Sequence, residues 1–218
     1  MTRGVASQIW SALEVLAAGW GREDSGLATA EFAMVLPAMM VLYIGGLEFS
    51  QATSIDRRMS DLNVILANIV SQNGSVVQPG DIDSQNAAAT QVMAPIDVTP
   101  LTVVTMEVTT DAKFTGTTAG HGTVNWSRSL QGGPSAPCIK FPSNTGCTAG
   151  AATPYPVNTA LTSLPSTLAA NTTYLLVQTY YNYKVEIGAQ IINPIPMLSS
   201  QVFGLPRGTS NITCPMCS

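Results

Sequence analysis

The chain has 218 residues, of which 10% are charged and 45% are apolar, and its formal net charge is −4. This apolar content excludes an intrinsically disordered chain, and the lack of a basic excess argues against a nucleic-acid partner. Soluble proteins carry roughly 25% charged residues, so the low value is more typical of an exported, loop-rich domain than of a cytosolic enzyme.

An uncharged stretch near the N-terminus has the length of a membrane span. Residues 1–26 form a polar leader, and no residue from Phe32 to Leu47 is charged. With Leu27–Ala30 the stretch reaches about 20 residues, the length that a helix needs to cross the hydrocarbon layer. A single span has to satisfy its own backbone hydrogen bonds, so a helix is predicted. Pro37 is expected to kink this helix, because proline removes one backbone hydrogen bond.

The apolar pattern continues beyond the span with the spacing of an amphipathic helix. Apolar residues recur at intervals of three and four, at Ile55, Met59, Leu62, Ile65, Leu66 and Ile69. The pair Asn73-Gly74 is a stop signal for a helix. We therefore predict one helix over residues 27–72, with the membrane span at about 27–49 and the amphipathic extension at 50–72.

Residues 73–218 are predicted to form a small antiparallel-sheet domain, so that the whole chain belongs to the α+β class. A short helix is expected over residues 81–94, and a long loop is expected at about 131–160, where Gly, Pro, Ser and Thr accumulate. Residues 187–198 are apolar, and their prediction stays open between helix and strand. β-branched and aromatic runs predict strands over Leu101–Val108, Thr123–Arg128 and Tyr174–Glu186.

Two single residues of this domain receive structural rather than chemical interpretations. Trp126 is expected to pack in the core of the domain. His121, between two glycines, is expected to lie in a loop and not to act as a catalytic base.

Four cysteines indicate the compartment of the domain. An even number of cysteines outside a membrane anchor predicts two disulfides. Because disulfides form outside the cytoplasm, the domain is expected there and the N-terminus on the cytoplasmic side of the span. Three connectivities are open, and pairing of sequence neighbours is our first expectation. A zinc site would need both pairs to converge, and the chain has one histidine, so no metal or cofactor is expected. The candidates are Cys138, Cys147, Cys214 and Cys217.

The junction between leader and span is the most informative feature of the sequence. Gly26-Leu27-Ala-Thr-Ala-Glu31-Phe32 resembles the processing site of type IV pilins, in which the cut follows the glycine. Gly26 presents no side chain to a peptidase. An unpaired Glu31 carboxylate at the hydrocarbon edge would cost about 2–3 kcal/mol or more. After cleavage the new amine of Leu27 would lie one helical turn away and could pair with it. The alternative for Glu31 is an interfacial carboxylate that faces the lipid headgroups.

Together with Pro37 and Gly45-Gly46-Leu47-Glu48, the junction resembles that of the TadE/TadG-like proteins of the tight-adherence (Flp) pilus system. The similarity covers roughly residues 22–72 and is weak elsewhere. It implies a type IV pilin-like minor pilin or pseudopilin that a prepilin peptidase processes, with a function in pilus assembly, surface adhesion or secretion. Other pilins and inner-membrane pilus assembly proteins are the implied partners. Helices of neighbouring subunits would then pack through the stripe Ile55–Ile69.

The family also implies a single-pass protein of the bacterial inner membrane, held in the lipid bilayer, with its C-terminal domain in the periplasm or in the pilus. Residues 1–26 are then a cytoplasmic leader peptide.

Two other functions stay open. One is an uncleaved, signal-anchored binding protein outside the cytoplasm. The other is a membrane-tethered thiol oxidoreductase that uses Cys214 and Cys217. No helix follows this pair to lower a thiol pKa, and no nucleophile–base–acid set is visible, so we expect a structural disulfide and no enzyme.

Overall fold

The computed structural model describes residues 24–112, 120–133, 135–137, 155–185 and 197–217. The predicted α+β class, a long N-terminal helix followed by an antiparallel sheet, is confirmed. The helices are α1 (Asp24–Gln72), α2 (Pro79–Asn86) and α3 (Ala88–Met93). The strands are β1 (Leu101–Thr110), β2 (Gly120–Gln131), β3 (Ala160–Leu164), β4 (Thr173–Tyr181) and β5 (Leu198–Gly204).

Contacts divide the chain into two compact units, Met1–Leu47 and Glu48–Ser218. The described part of the first unit consists of the N-terminal half of α1. The second unit contains the rest of α1, both short helices and the sheet.

The C-terminal half of α1 packs into the core of the second unit. Met59 and Leu62 are fully buried, and Leu66 and Val70 are 1% exposed. The predicted contact of this stripe with neighbouring subunits is therefore wrong for Ile55, Met59, Leu62 and Leu66, which are buried within the protein, whereas Ile65 is 38% exposed. The four residues are buried because an apolar helix face packs against an apolar sheet face of the same chain.

The strands of the second unit form one antiparallel sheet in the order β3-β2-β1-β4-β5. Both faces are apolar at its centre, since successive side chains of a strand point to opposite faces. The face toward α1 includes Val103, Trp126 and Val177. The opposite face has a second cluster that includes Met106 and Leu176.

Helices and strands differ from the prediction at several ends. The helix predicted at residues 81–94 is two helices, α2 and α3, and Ala94 before Pro95 has an extended backbone (ψ 138°), as proline requires of its predecessor. Strand β4 stops at Tyr181 and not at Glu186, because its partner β1 begins at Leu101 and offers no further pairing.

Strand β2 begins at Gly120, so the prediction that His121 lies in a loop is wrong. The His121 side chain is exposed on this strand. Gly122 explains the extension, because a Cβ at this position would come within 2.7 Å of Leu164 and 2.9 Å of Val108. The glycine allows three strands to approach closely where a side chain would separate them.

Candidate functional site

The expected cleavage junction lies in the first turns of α1. This helix begins at Asp24, so the peptide bond between Gly26 and Leu27 has helical backbone. Glu31 and Phe32 are both exposed, and Phe32 is 62% exposed.

A largely exposed apolar band, Phe32 to Leu47, follows this junction. Helix α1 contains a segment near the N-terminus that is long and apolar enough to cross a membrane. The consecutive residues Met39 to Tyr43 are each at least 48% exposed. Successive helical residues are rotated by about 100°, so these five side chains cover every face of the helix. A helix that is apolar and exposed on all sides fits a single-pass lipid anchor and not the core of a soluble domain.

A buried carboxylate ends the band. Glu48 is 3% exposed, and the Tyr183 hydroxyl donates a hydrogen bond of 2.5 Å to its Oε2 atom. The Oε1 atom of Gln51 lies 3.4 Å from the same hydroxyl. A carboxylate without water needs such donors, so this pair holds α1 to the chain segment that follows β4.

Glu48 belongs to a motif visible in the sequence, but its contact with Tyr183 was not predicted. The signal was present, because Glu48, Ala52, Ile55 and Met59 are spaced by four, three and four residues. That spacing puts the carboxylate on the buried face of the helix.

Loss of this hydroxyl should destabilise the second unit. Tyr183→Phe is expected to lower its free energy of unfolding by about 1.5–3 kcal/mol, since Glu48 stays buried without that donor. Chemical denaturation of the detergent-solubilised chain measures the change. Lys184→Gln, at the exposed neighbouring position, is the matched control and should behave like the wild type. Equal stability of Tyr183→Phe and the control would contradict this role.

The C-terminal segment is bound to the helix-facing side of the sheet. Ile212 is fully buried, its N–H donates to the Glu107 carboxylate at 2.6 Å, and its carbonyl accepts from Trp126 Nε1 at 2.5 Å. Glu107 and Trp126 are paired across β1 and β2. Trp126 is 3% exposed, which confirms its expected place in the core. The next residue, Thr213, forms a short parallel bridge with Val76.

One of the two candidate cysteine pairs lies in this segment. Cys214 and Cys217 form a disulfide with their Cα atoms 5.2 Å apart, and they are 6% and 2% exposed. Cys138 and Cys147 lie outside the described residues. Within the described ranges no three His, Cys, Asp or Glu side chains come together as metal ligands would.

Burial raises the pKa of the Glu107 carboxyl above its ordinary value of 4.5, and hydrogen bonds from Ile212 and Asn125 offset part of the rise. The folded state therefore holds this proton more tightly than the unfolded chain does. The resulting stabilisation is complete below pH 4.5 and is lost as the pH rises through the raised pKa.

Glu107→Gln should remove this contribution while it keeps an acceptor for the Ile212 N–H. We expect the free energy of unfolding to change less between about pH 4 and about pH 7 in this variant than in the wild type. Denaturant titrations at both pH values measure the difference. Asp111→Asn, at an exposed carboxylate, is the control. An unchanged pH dependence in Glu107→Gln would refute the assignment.

Part of α1 is similar to a known protein family. Residues 26–61 match the family model described as TadE-like protein. No curated protein and no solved structure matched the chain. The match starts at Gly26, includes Glu31 and Glu48, and ends within the buried stripe of α1. Residues 26–61 are therefore a TadE-like region, and this match supports involvement of the chain in the Tad pilus system.

Proposed function

We propose that this protein is a minor pilin or pseudopilin of a tight-adherence pilus, cut by a prepilin peptidase between Gly26 and Leu27. The observation that carries the proposal is an arrangement in one helix. The TadE-like match begins at Gly26 and includes Glu31, Phe32 and the apolar band, which is exposed on all sides. The band anchors the subunit in the inner membrane before it joins the pilus.

Cleavage would create the group that Glu31 needs. The new amine of Leu27 is cationic and lies one helical turn from the Glu31 carboxylate, which also meets the positive end of the helix dipole. The carboxylate pairs with this amine or with that of a neighbouring subunit. Other pilins and inner-membrane assembly proteins are the partners that this geometry serves.

The second unit would act outside the cytoplasm as a structural domain without catalysis. The buried Cys214–Cys217 disulfide supports an oxidising compartment, the periplasm or the pilus surface. Its sulfur atoms are also too buried to exchange with a substrate, which favours a structural bond over a thiol oxidoreductase.

The location of the buried stripe restricts how subunits associate. Because Met59, Leu62, Leu66 and Val70 are buried inside the protein, helix contacts between subunits are expected within the apolar band. Gly45 and Gly46 permit close approach there, since they carry no side chain and a Cβ at either position meets nothing of this chain within 4 Å.

The proposal is tested by the N-terminus of the mature chain. Mass spectrometry of the protein from native membranes should find Leu27 as the first residue, and Gly26→Ala or a larger residue should block this maturation. Gly45→Ala makes the same substitution in open space within the span and should be processed normally. Glu31→Ala should be cut but should enter pili poorly, because the new amine loses its partner.

The alternative is an uncleaved, signal-anchored binding protein. A chain that still begins at Met1 in its native host, and never co-fractionates with pili or their assembly machinery, would establish that alternative. Normal piliation in Glu31→Ala would remove only the role of that carboxylate.

A further inference from the structure

A groove runs along α1 directly after the apolar band. It has a volume of about 620 Å³, and Val92 of α3 is part of its lining. The lining combines an aromatic ring with hydroxyl groups and two guanidinium groups. It includes Phe49, Ser50, Ser54, Arg57, Arg58 and Asp61.

The two arginines differ in how they are held. Arg58 Nη1 donates to the carbonyl oxygens of Val92, at 3.4 Å, and Ala94, at the end of α3. Arg57 is exposed, and no hydrogen bond or ion pair joins it to another residue of the described ranges. A guanidinium has five N–H donors, so both side chains can bind an anion in the groove.

The position of the groove along the helix selects the source of that anion. The apolar band from Phe32 to Leu47 spans about 24 Å at 1.5 Å per residue, most of the ~30 Å of the hydrocarbon layer. Phe49, which is 73% exposed, then lies at the boundary with the headgroups. Arg57 follows about 12 Å farther along the axis.

The direction of helical side chains brings the Arg57 guanidinium closer to Phe49 than its Cα atom is. A long side chain on a helix slants toward the N-terminus, and arginine extends its charged end toward the nearest interface. The headgroup layer is roughly 5–8 Å thick on each side of the hydrocarbon. The Arg57 guanidinium thus reaches the level of the lipid phosphates.

We propose that this groove binds the headgroup of an anionic phospholipid. Arg57 and Arg58 contact the phosphate, the Ser50 and Ser54 hydroxyls donate to headgroup oxygens, and the Phe49 ring lies beside the acyl chains. Asp61 closes the far end and disfavours a second anion. This inference requires that the apolar band spans a bilayer, and it does not depend on peptidase processing.

Competition between two lipids tests the inference on the full chain. The protein is purified in detergent with equal amounts of phosphatidylglycerol and phosphatidylcholine, and native mass spectrometry measures the ratio of the two lipids retained. We expect the wild type to favour phosphatidylglycerol, and Arg57→Gln to reduce that preference about fivefold, the share of one arginine at a membrane surface. Thermal unfolding confirms that the variant is folded.

Arg207→Gln is the matched control, because it removes the same charge far from the groove. Its partner Asn68 accepts a 2.9 Å hydrogen bond from Arg207 Nη2 and lies about 28 Å from Phe49 along the helix. An equal loss in this control would show an effect of net charge alone and would overturn the proposal. A wild type that retains both lipids equally would also overturn the proposal, and the arginines would then be a contact site for an acidic protein. Displacement of the lipid by inorganic phosphate would also overturn it, since the groove would then be a site for free anions.

Discussion

Leu62→Ala is expected to lower the free energy of unfolding of the second unit by about 2–5 kcal/mol, while Val64→Ala changes it by less than about 0.5 kcal/mol. Leu62 is fully buried against the sheet, and Val64, two residues away on the same helix, is 45% exposed. Truncation at the first position leaves a cavity in a packed core, and truncation at the second leaves none. Both variants are compared by denaturant titration in detergent.

The same pair of variants separates two models of the amphipathic stripe. If the stripe joined helices of different subunits, Leu62→Ala would leave the isolated subunit as stable as the wild type and would weaken only its assembly. That outcome would contradict the packing of α1 described above. A loss of stability in the isolated subunit agrees with a stripe that belongs to the protein's own core.

Ile212→Ala is expected to destabilise the domain by a similar amount, about 2–5 kcal/mol. The side chain is fully buried, and its backbone N–H and carbonyl oxygen bind Glu107 and Trp126. A cavity at this position loosens the segment that satisfies both of these buried polar groups, so part of their desolvation cost is added.

Met216→Ala provides the comparison for this prediction. Met216 is in the same segment but is 69% exposed, so its truncation should be neutral. In a chain that begins at Leu27, Trp126 is the one tryptophan, so its fluorescence during denaturation reports both the stability and the Ile212 contact. Two variants of equal stability would show that the C-terminal segment contributes nothing to the core.

Local patterns predicted the helical part of this fold well. The uncharged stretch and the spacing of three and four residues predict one long helix up to residue 72, and α1 ends at Gln72. Both signals come from neighbours in sequence, which a helix also brings together in space. Trp126 followed from its size and apolar surface alone.

The strands at the sheet edges could not be predicted in the same way. Strand β5 has the polar run Ser199-Ser200-Gln201 and gains its place by pairing with β4. Strand β3 lies at the end of a stretch rich in loop-forming residues and is held by β2. Pairing between distant segments leaves little local trace, since strand propensity depends on the neighbouring strands.

The candidate site also has one part that local sequence patterns predict and another part that they do not. The junction around Gly26 and Glu31 follows from residue types at fixed offsets, so the sequence alone predicts it. The partner of Glu48 is Tyr183, 135 residues away, and no local pattern connects the two. The C-terminal contacts of Glu107 have the same origin.

The position of Ile212 after all the helices and strands also determines the order in which the core can form. A polypeptide emerges from synthesis and translocation with its N-terminal residues first. Ile212, which completes this hydrophobic core, and the disulfide that follows it are made after α1 and all five strands of the sheet. The second unit can therefore acquire its final packing only after the polypeptide up to this segment has been synthesised.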